Sequence, residues 1–495
     1  MERLEAIVGR LVPGGTAPPG LPKAKTSPLD RAAVIGFLKR AALIALAGCY
    51  LLLAARSVVN TNYEYGKPML ALALAFGPLA FYFALRAPAI FPLGAYVALI
   101  PFDALLRVSG GVTITRLIGI ATIVALCLRM VLSRRILVPQ GAYWAWLAWI
   151  AWTAVTFEWT PDPHGGYSYF TQIFSLFIMM TILAVYPFRR FEFNFMLVVI
   201  VLTGALEGLY AVWERNSGLF DGARLSVGEA SGLVIDQNYF AGSFILPAAL
   251  ALATVFFSRS RKLRVAALVT LPPMLAAIFL SGSRSGFISL VLLCFYLALR
   301  SRHRIAALLV TAGMFVLSTL TPIWNRFLND PTAANGAGRT DIWVTGLASL
   351  RDHWLFGAGV GSFLTVYNQN LLKSFQVDFQ HWDRPPHSLV VGVVTETGVI
   401  GLFLVLTAWY LTFRQSRFVP VTSDFYIVRL ALEATTLALF IDAQFIDPVY
   451  IKYMWLACSL PLALVNVVAL TTARSAAVSG LRPRGRPVRA DALHT

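Results

Sequence analysis

The feature that most constrains this chain is a series of long apolar runs separated by short charged stretches. An apolar run of about 20 residues is long enough to cross the hydrocarbon core of a bilayer as a helix. Hydrophobic residues make up 58% of the 495 residues and charged residues only 13%, more apolar surface than a water-soluble fold can bury. The sequence therefore predicts an all-α fold, a polytopic transmembrane helical bundle of about 12–14 spans.

Span length and flanking charge locate the predicted spans near 35–55, 68–85, 88–106, 112–128, 141–157, 167–186, 194–213, 239–257, 265–281, 286–299, 305–324, 388–412, 425–445 and 449–471. The pair between 68 and 106 is interrupted by Pro88 and Pro92. The first thirty residues are polar, and we expect no cleavable signal peptide there. The predicted divisions are a disordered basic cytoplasmic N-terminus (1–34), N-terminal transmembrane helices (35–324), a large periplasmic loop (325–387), C-terminal transmembrane helices (388–471) and a basic cytoplasmic tail (472–495).

The net charge of +17 is unevenly distributed along the chain. Basic residues concentrate at the two ends and in alternate short loops, which is the positive-inside pattern of membrane proteins. The basic short loops contain Arg129, Arg134, Arg135, Arg189, Arg190, Arg259, Arg261, Lys262, Arg264, Arg300, Arg302, Arg304, Arg414 and Arg417. The pattern predicts that both termini are cytoplasmic, and it accounts for the charge without nucleic-acid binding.

Two predicted outer loops are long, about 214–237 and about 325–387. Within the larger one, apolar residues recur at helical spacing at Ile342, Trp343, Leu347, Leu350 and Trp354. This spacing predicts one amphipathic helix on the outer interface, beginning at Thr340 or Asp341 and ending at Gly357. The large loop is therefore expected to be partly helical.

Two motifs lie outside the large loop. Arg224 is followed by Asp236-Gln237-Asn238, for which the simplest role is N-capping of the next helix. Ser281-Gly282-Ser283-Arg284-Ser285-Gly286 joins two predicted spans, and a tight turn with a snorkelling arginine is an alternative to a binding role.

Three motifs follow in the large loop and after it. The loop contains Gly338-Arg339-Thr340-Asp341-Ile342-Trp343 and the glycine-rich stretch Gly357-Ala358-Gly359-Val360-Gly361-Ser362-Phe363. No parallel strand or Walker lysine accompanies that stretch, so close backbone packing is favoured over a phosphate loop. The loop ends in Arg384-Pro385-Pro386-His387-Ser388, and the next span contains Glu396, Gly398 and Gly401.

The order of these motifs over about residues 110–470 resembles the O-antigen ligase and polymerase superfamily of bacterial membrane glycosyltransferases. The sharpest parts are G-R-x-x-x-W, the glycine-rich stretch ending in Phe363, and a histidine that opens a span continuing E-x-G-x-x-G. The chain departs from the family at His387-Ser388, where His-Asn is frequent, and at Asp236-Gln237-Asn238, where Asp-Pro-Asn is frequent.

The resemblance implies transfer of a glycan from a polyprenyl-diphosphate carrier to an acceptor sugar hydroxyl at the periplasmic face of the inner membrane. It implies a metal-independent enzyme without a cofactor, whose partners are the lipid-linked donor, an acceptor glycan and the bilayer, with no nucleic acid. The acceptor is left open between a lipid A core, another carrier-linked repeat and a protein side chain, so ligase and polymerase are not separated.

Such a reaction needs cations to hold the diphosphate, a base for the acceptor hydroxyl and stabilisation of the leaving group. Arginine suits the charges because its guanidinium is bidentate and stays protonated. The predicted catalytic residues are His387, the base, with Arg284 and Arg339. The predicted substrate-binding residues are Arg224, Arg384, Arg116 and Asn238. Arg116 has a simple alternative role as a snorkelling anchor.

A metal ion is the other possible charge carrier, but the chain has no D-x-D motif and no helical pair of outer histidines. The acids Glu207, Glu396, Glu433 and Asp442 lie in predicted spans and have hydrogen bonding within the bundle as the simpler role. A lipid-linked oligosaccharide flippase is the alternative function, and a scaffold or sensor is a third. Neither needs a large outer loop carrying arginine and histidine.

Overall fold

A computed structural model describes residues 77–78, 82–103, 105–106, 113–217, 224–226, 236–302, 304–319, 324, 338–373 and 383–478. The chain divides into two units, Met1–Leu79 and Ala80–Thr495, and all the described residues but 77–78 belong to the second. The predicted N-terminus, the first span, most of the second span, part of the large loop and the end of the tail lie outside the described residues.

The described residues form α-helices and contain no β-strand. The helices are α1 (Leu93–Leu99), α2 (Ile114–Ser133), α3 (Ala142–Val155), α4 (Pro163–Val185), α5 (Arg190–Asn216), α6 (Gln237–Ser243), α7 (Ile245–Phe257), α8 (Arg261–Leu280), α9 (Arg284–Arg300), α10 (Arg304–Ser318), α11 (Arg339–Leu347), α12 (Leu350–His353), α13 (Phe363–Lys373), α14 (Leu389–Gln415), α15 (Tyr426–Asp442) and α16 (Lys452–Val478).

Seven of the described helical segments are long and apolar enough to cross a membrane: Ile114–Ser133, Pro163–Val185, Arg190–Asn216, Gln237–Phe257, Arg261–Leu280, Leu389–Phe418 and Lys452–Ala473. The polytopic transmembrane helical bundle is thereby confirmed, and α2 to α5, α7 to α10 and α14 to α16 each begin within a few residues of a predicted span. The count of 12–14 spans includes undescribed segments and stays a prediction.

Two predictions about helices are wrong. Among its described residues, the segment near 88–106 contains only the seven-residue α1, because Pro88, Pro92 and Pro101 supply no N–H donors for a continuous helix. The single amphipathic helix of the large loop is instead α11 and α12. The break lies at Ala348 and Ser349, and the Ser349 hydroxyl donates to the Gly346 carbonyl, a local bond that competes with the helical ladder.

The connections between spans sort to two ends of the bundle. At one end, the Leu137 amide donates to the Val185 carbonyl. At the same end, Arg190 forms a 2.8 Å ion pair with Asp424, which lies between α14 and α15. At the other end, the Thr160 hydroxyl donates to the Val360 carbonyl. Basic loops therefore lie together at the first end, as positive-inside sorting requires, and the segment containing α11 to α13 lies at the second.

Buried tryptophans join the central helices. The Trp146 Nε1–H of α3 donates to the Thr412 hydroxyl of α14, and Trp409 Nε1–H donates to the Thr436 carbonyl of α15. Trp455 of α16 stacks obliquely against Trp146. Because each indole N–H used here has a partner on a neighbouring helix, these bonds fix the helices against one another inside an apolar core.

Two of the intramembrane acids have structural partners. Glu433 of α15 accepts hydrogen bonds from Arg429, at 2.9 Å, and from the Tyr296 hydroxyl. Glu207 of α5 accepts from the Ser243 hydroxyl at 3.0 Å. These contacts satisfy the carboxyl groups within the bundle and agree with the simpler role considered for them.

Candidate active site

The helix that follows His387 is broken, and the break positions the large loop. Gly398 in α14 has φ +68° and ψ −171°, a conformation that interrupts the helical ladder. The segment 354–359 bonds into this interruption: the amides of Ala358 and Gly359 donate to the Thr395 and Glu396 carbonyls. In the other direction, the Val399 amide donates to the Trp354 carbonyl. The free backbone groups of a membrane helix are thus satisfied by the loop.

The glycine-rich stretch lies directly against this break. A Cβ on Gly357 would lie 2.3 Å from the Glu396 carbonyl oxygen, and one on Gly359 would lie 2.4 Å from Thr160 Cα. The Glu396 carboxylate accepts from the Phe363 amide at 3.3 Å. The preference for close backbone packing over a phosphate loop is therefore confirmed, and the amide of Phe363 is directed at a carboxylate of the protein itself.

His387 occupies a constrained position between the loop and α14. Its φ of +45° is in the left-handed region, which is costly for a residue with a Cβ. Neighbouring bonds hold it there: Trp343 Nε1–H donates to the Pro386 carbonyl, and the Leu389 amide donates to the Ala443 carbonyl. The half-buried imidazole is therefore positioned by both the loop and the helix ends.

The imidazole is also in a distinctive electrostatic environment. Burial lowers the pKa of His387, Arg339 lowers it further, Asp236 opposes these effects and Arg384 adds to them. Its buried Nδ1 atom has no hydrogen-bond partner among the described residues. A neutral imidazole with a free ring nitrogen can accept a proton near neutral pH.

Arg339 and Arg384 lie on the loop side of this histidine. Arg339 opens α11 after Gly338, which has φ +76°, and its guanidinium carbon lies 5.7 Å from the Phe445 ring centroid. The space above Gly338 is next to Arg384, because a Cβ built there would lie 3.1 Å from Nη1. Both cations lie within electrostatic range of His387.

A second group of predicted residues meets on the bundle side. Arg224 Nε–H donates to the Ser281 carbonyl at 2.9 Å, and its Nη2 lies 3.5 Å from Asn238 Oδ1. The Ser283 hydroxyl donates to the same Asn238 oxygen at 2.9 Å. Ser283 is also the N-cap of α9, whose first residue is the half-buried Arg284. The two motifs outside the large loop therefore form one network.

Two acidic residues that were not predicted as site residues lie at this cluster. Asp236 caps α6 by accepting from the Asn238 amide at 2.7 Å, as its simpler role predicted, and it also acts on the charge of His387. Asp442, at the end of α15, is fully buried within electrostatic range of Arg339. The sequence signal for Asp442 was an acid near the end of a span, which does not reveal its neighbours.

One predicted substrate-binding residue, Arg116, and two further histidines lie apart from the cluster. Arg116 is exposed on α2, and in the described part of the chain no contact joins its side chain to His387 or Arg339. His353 is exposed at the end of α12, and His164 lies in the first turn of α4. No described contact joins any of these three side chains to the arginine and serine groups described above.

The cluster combines several arginines, a neutral histidine and small hydroxyl and amide groups at one end of the bundle. Such a set can hold a polyanion and accept one proton. Within the described residues, no group of three or more His, Cys, Asp or Glu side chains is arranged to hold a metal ion.

Part of the chain matches a known protein family. A comparison with curated proteins found no match. Residues 269–406 match the family described as O-Antigen ligase, a range that includes Arg284, Arg339, Arg384 and His387 but not Arg224 or Asn238. The match supports a function of the ligase or polymerase type in a multi-pass membrane protein that uses lipid-linked glycans. Over this segment the chain is similar to the O-antigen ligase family, which confirms the resemblance that the ordered motifs indicated.

Proposed function

We propose that this chain is an inner-membrane glycosyltransferase of the O-antigen ligase or polymerase type. It transfers a glycan from a polyprenyl-diphosphate carrier to a sugar hydroxyl at the periplasmic face, without a metal ion. The observation that carries the proposal is that Arg339, Arg384 and Asp236, the N-cap of α6, all lie within electrostatic range of His387.

The proposed step follows from these groups. His387 accepts the proton of the acceptor hydroxyl while the hydroxyl oxygen forms a bond to the anomeric carbon of the donor glycan. The bond between that carbon and the diphosphate oxygen breaks, and the lipid diphosphate leaves with the electron pair. Arg339 and Arg284 stabilise its growing charge, and Arg224, Arg384 and Asn238 hold the substrate in the same site.

The remaining elements support this assignment of roles. Burial and Arg339 keep the pKa of His387 below its ordinary value, so the free enzyme carries the imidazole as a neutral base. Arg116 is proposed to bind the donor as an exposed cation outside the cluster, because no described contact joins it to His387 or Arg339. The proposed orientation places both termini in the cytoplasm.

The test is transfer by the purified full-length protein in liposomes containing a lipid-linked donor glycan. We expect Arg339→Ala and Arg284→Ala each to lower the rate about a hundredfold, the effect of removing one charged donor from a developing oxyanion. Lysine at either position should restore activity only in part, because an ammonium lacks the bidentate guanidinium. Arg351→Ala, an exposed arginine of α12, is the matched control.

A second pair of variants tests the base. His387→Ala and His387→Gln should both abolish transfer while donor binding remains, because glutamine can form hydrogen bonds but cannot take up a proton near neutral pH. Near-normal rates for His387→Gln would show that this residue positions the acceptor without accepting its proton. Near-normal rates for both arginine-to-alanine variants would refute the proposed function.

A further inference from the structure

A large groove lies beside the candidate active site and has no role in the proposed step. Its volume is about 850 Å³, within the range of roughly 300–1,000 Å³ typical of small-molecule sites. It is formed by the outer end of α3, the turn that leads to α4, and the segment containing α12 and α13. Its aromatic lining consists of Trp152, Trp159, Trp354 and Phe356.

The aromatic side chains are held firmly but remain exposed. Trp152 Nε1–H donates to the Thr397 carbonyl at 2.8 Å, and Trp159 Nε1–H donates to the Gly357 carbonyl at 3.1 Å. Phe356 contacts both tryptophan rings and is 51% exposed, and Trp354 is 58% exposed. The rings of Trp152, Trp159 and Phe356 are therefore pre-ordered, which lowers the entropy cost of binding, and the exposed Trp354 ring is available to a ligand beside them.

The groove is amphipathic, and this favours a saccharide over a hydrocarbon chain as its occupant. The exposed polar side chains of Asp352, His353 and Gln369 line it next to the aromatic rings. A prenyl or acyl chain in the groove would cover these side chains with hydrocarbon and separate them from water, which is unfavourable. A saccharide matches both surfaces, because its C–H faces stack on aromatic rings and its hydroxyls reach polar groups at the edge.

The groove is separate from the arginine and histidine cluster of the candidate active site. The α3–α4 turn contributes to the groove, whereas Arg224, Asn238 and Ser283 belong to other connections of the bundle. The two regions share α14 and the loop segment that bonds into its break. The Ala358 amide in the groove wall donates to the Thr395 carbonyl, about two turns after Leu389, the first residue of α14. None of the arginines of the candidate active site lines the groove, so a ligand there would leave those arginines available to the donor.

We infer that this groove is the binding site for the saccharide of the acceptor, with Trp354 and Phe356 as stacking platforms and Asp352 and Gln369 as hydroxyl partners. The inference rests on the proposed function, since it assigns the groove to one substrate of that transfer. Trp354 is the most informative residue because its side chain is exposed while its carbonyl is fixed by the Val399 amide.

The first test measures binding without turnover. The probe is the lipid-free oligosaccharide released by mild acid from the surface glycan of the producing cells, titrated against the full-length protein in nanodiscs by equilibrium dialysis. We expect Trp354→Ala to weaken binding about tenfold and Trp354→Phe to retain most of it. Trp213→Ala is the matched control, because Trp213 is 56% exposed near the end of α5 and does not line the groove.

Three outcomes of the titration would overturn the inference. They are no binding of the oligosaccharide to the unmodified protein, equal binding by Trp354→Ala, and an equal loss in Trp213→Ala, which would indicate a general effect of interfacial tryptophans. Polyprenyl phosphate is the second probe, and its selective loss in Trp354→Ala would assign the groove to the lipid carrier and overturn the saccharide assignment.

The second test separates the two substrates during transfer. Trp354→Ala should raise the apparent KM for the acceptor about tenfold and leave the apparent KM for the donor unchanged. An increase for the donor alone would overturn the inference. If Arg339→Ala and Arg284→Ala are inactive but bind the oligosaccharide normally, the proposed chemistry is supported. If both are fully active, the proposed function is refuted, and the titration with Trp354→Ala alone decides whether the groove binds a saccharide.

Discussion

Replacing Gly357 with alanine tests whether the loop is anchored in the break of α14. Gly357 has φ +76°, and an added Cβ would lie 2.3 Å from the Glu396 carbonyl oxygen and 2.5 Å from the Gly398 nitrogen. Both neighbours are backbone atoms, so they cannot move aside as a flexible side chain could.

The expected cost has two parts. Positive φ for a residue with a Cβ costs about 1–2 kcal/mol, and forcing an extra carbon into a packed site typically costs about 1–3 kcal/mol. Gly357→Ala should therefore lower the free energy of unfolding by roughly 2–5 kcal/mol. Because the same loop also carries Arg339 in α11, transfer activity should fall in the fraction that remains folded.

The assay is the midpoint of thermal unfolding of the detergent-solubilised protein, with transfer activity measured on the same preparation. Gly313→Ala is the matched control, since the same substitution in α10 meets no atom within 4 Å. There, alanine should leave stability unchanged or raise it by up to about 1 kcal/mol through its higher helix propensity. Equal midpoints for Gly357→Ala and Gly313→Ala would show that the loop is not anchored as described.

Three further predictions concern charge, orientation and metal. The acidic limb of the transfer rate should follow the protonation of His387, so Arg384→Gln, which removes a charge that lowers its pKa, should shift that limb to higher pH. Asp236→Asn removes a charge that raises the same pKa and should shift the limb to lower pH; shifts in the same direction for both variants would contradict the assignment. In a cysteine-free background, Asn335→Cys should react with an impermeant thiol reagent only from the periplasmic side, and Thr422→Cys, at the basic end of the bundle, only from the cytoplasmic side. Activity should persist in EDTA, and loss on chelation that Mg²⁺ or Mn²⁺ restores would overturn the proposal that arginines alone neutralise the diphosphate.

The membrane spans could be predicted because their signals are local. A helix in a bilayer satisfies its own backbone bonds, so an apolar run and its flanking charges determine its place with little reference to the rest of the chain. This is why α14, predicted as 388–412, is observed at Leu389–Gln415. The exception near Pro88 and Pro92 shows the same rule, since a run that is apolar but lacks N–H donors does not continue as a helix.

The motifs of the candidate site were also visible in the sequence, but their relations were not. The sequence made both Arg116 and Arg224 substrate-binding candidates, and only the structure shows that Arg224 bonds to Asn238 while no described contact joins Arg116 to the cluster. The reason is that side chains from distant connections meet only after the helices pack. The same holds for Asp442, whose nearness to Arg339 depends on how α15 ends beneath the loop.

The glycine-rich stretch shows most clearly what each level determines. Its sequence, with three glycines at alternate positions, already favoured close backbone contact. Its partner was decided by the tertiary structure: the break at Gly398 frees carbonyls of α14, and the stretch supplies the amides that satisfy them. A chain can carry such a requirement locally, but unsatisfied donors and acceptors inside a membrane protein find each other only through space, once the helices have assembled.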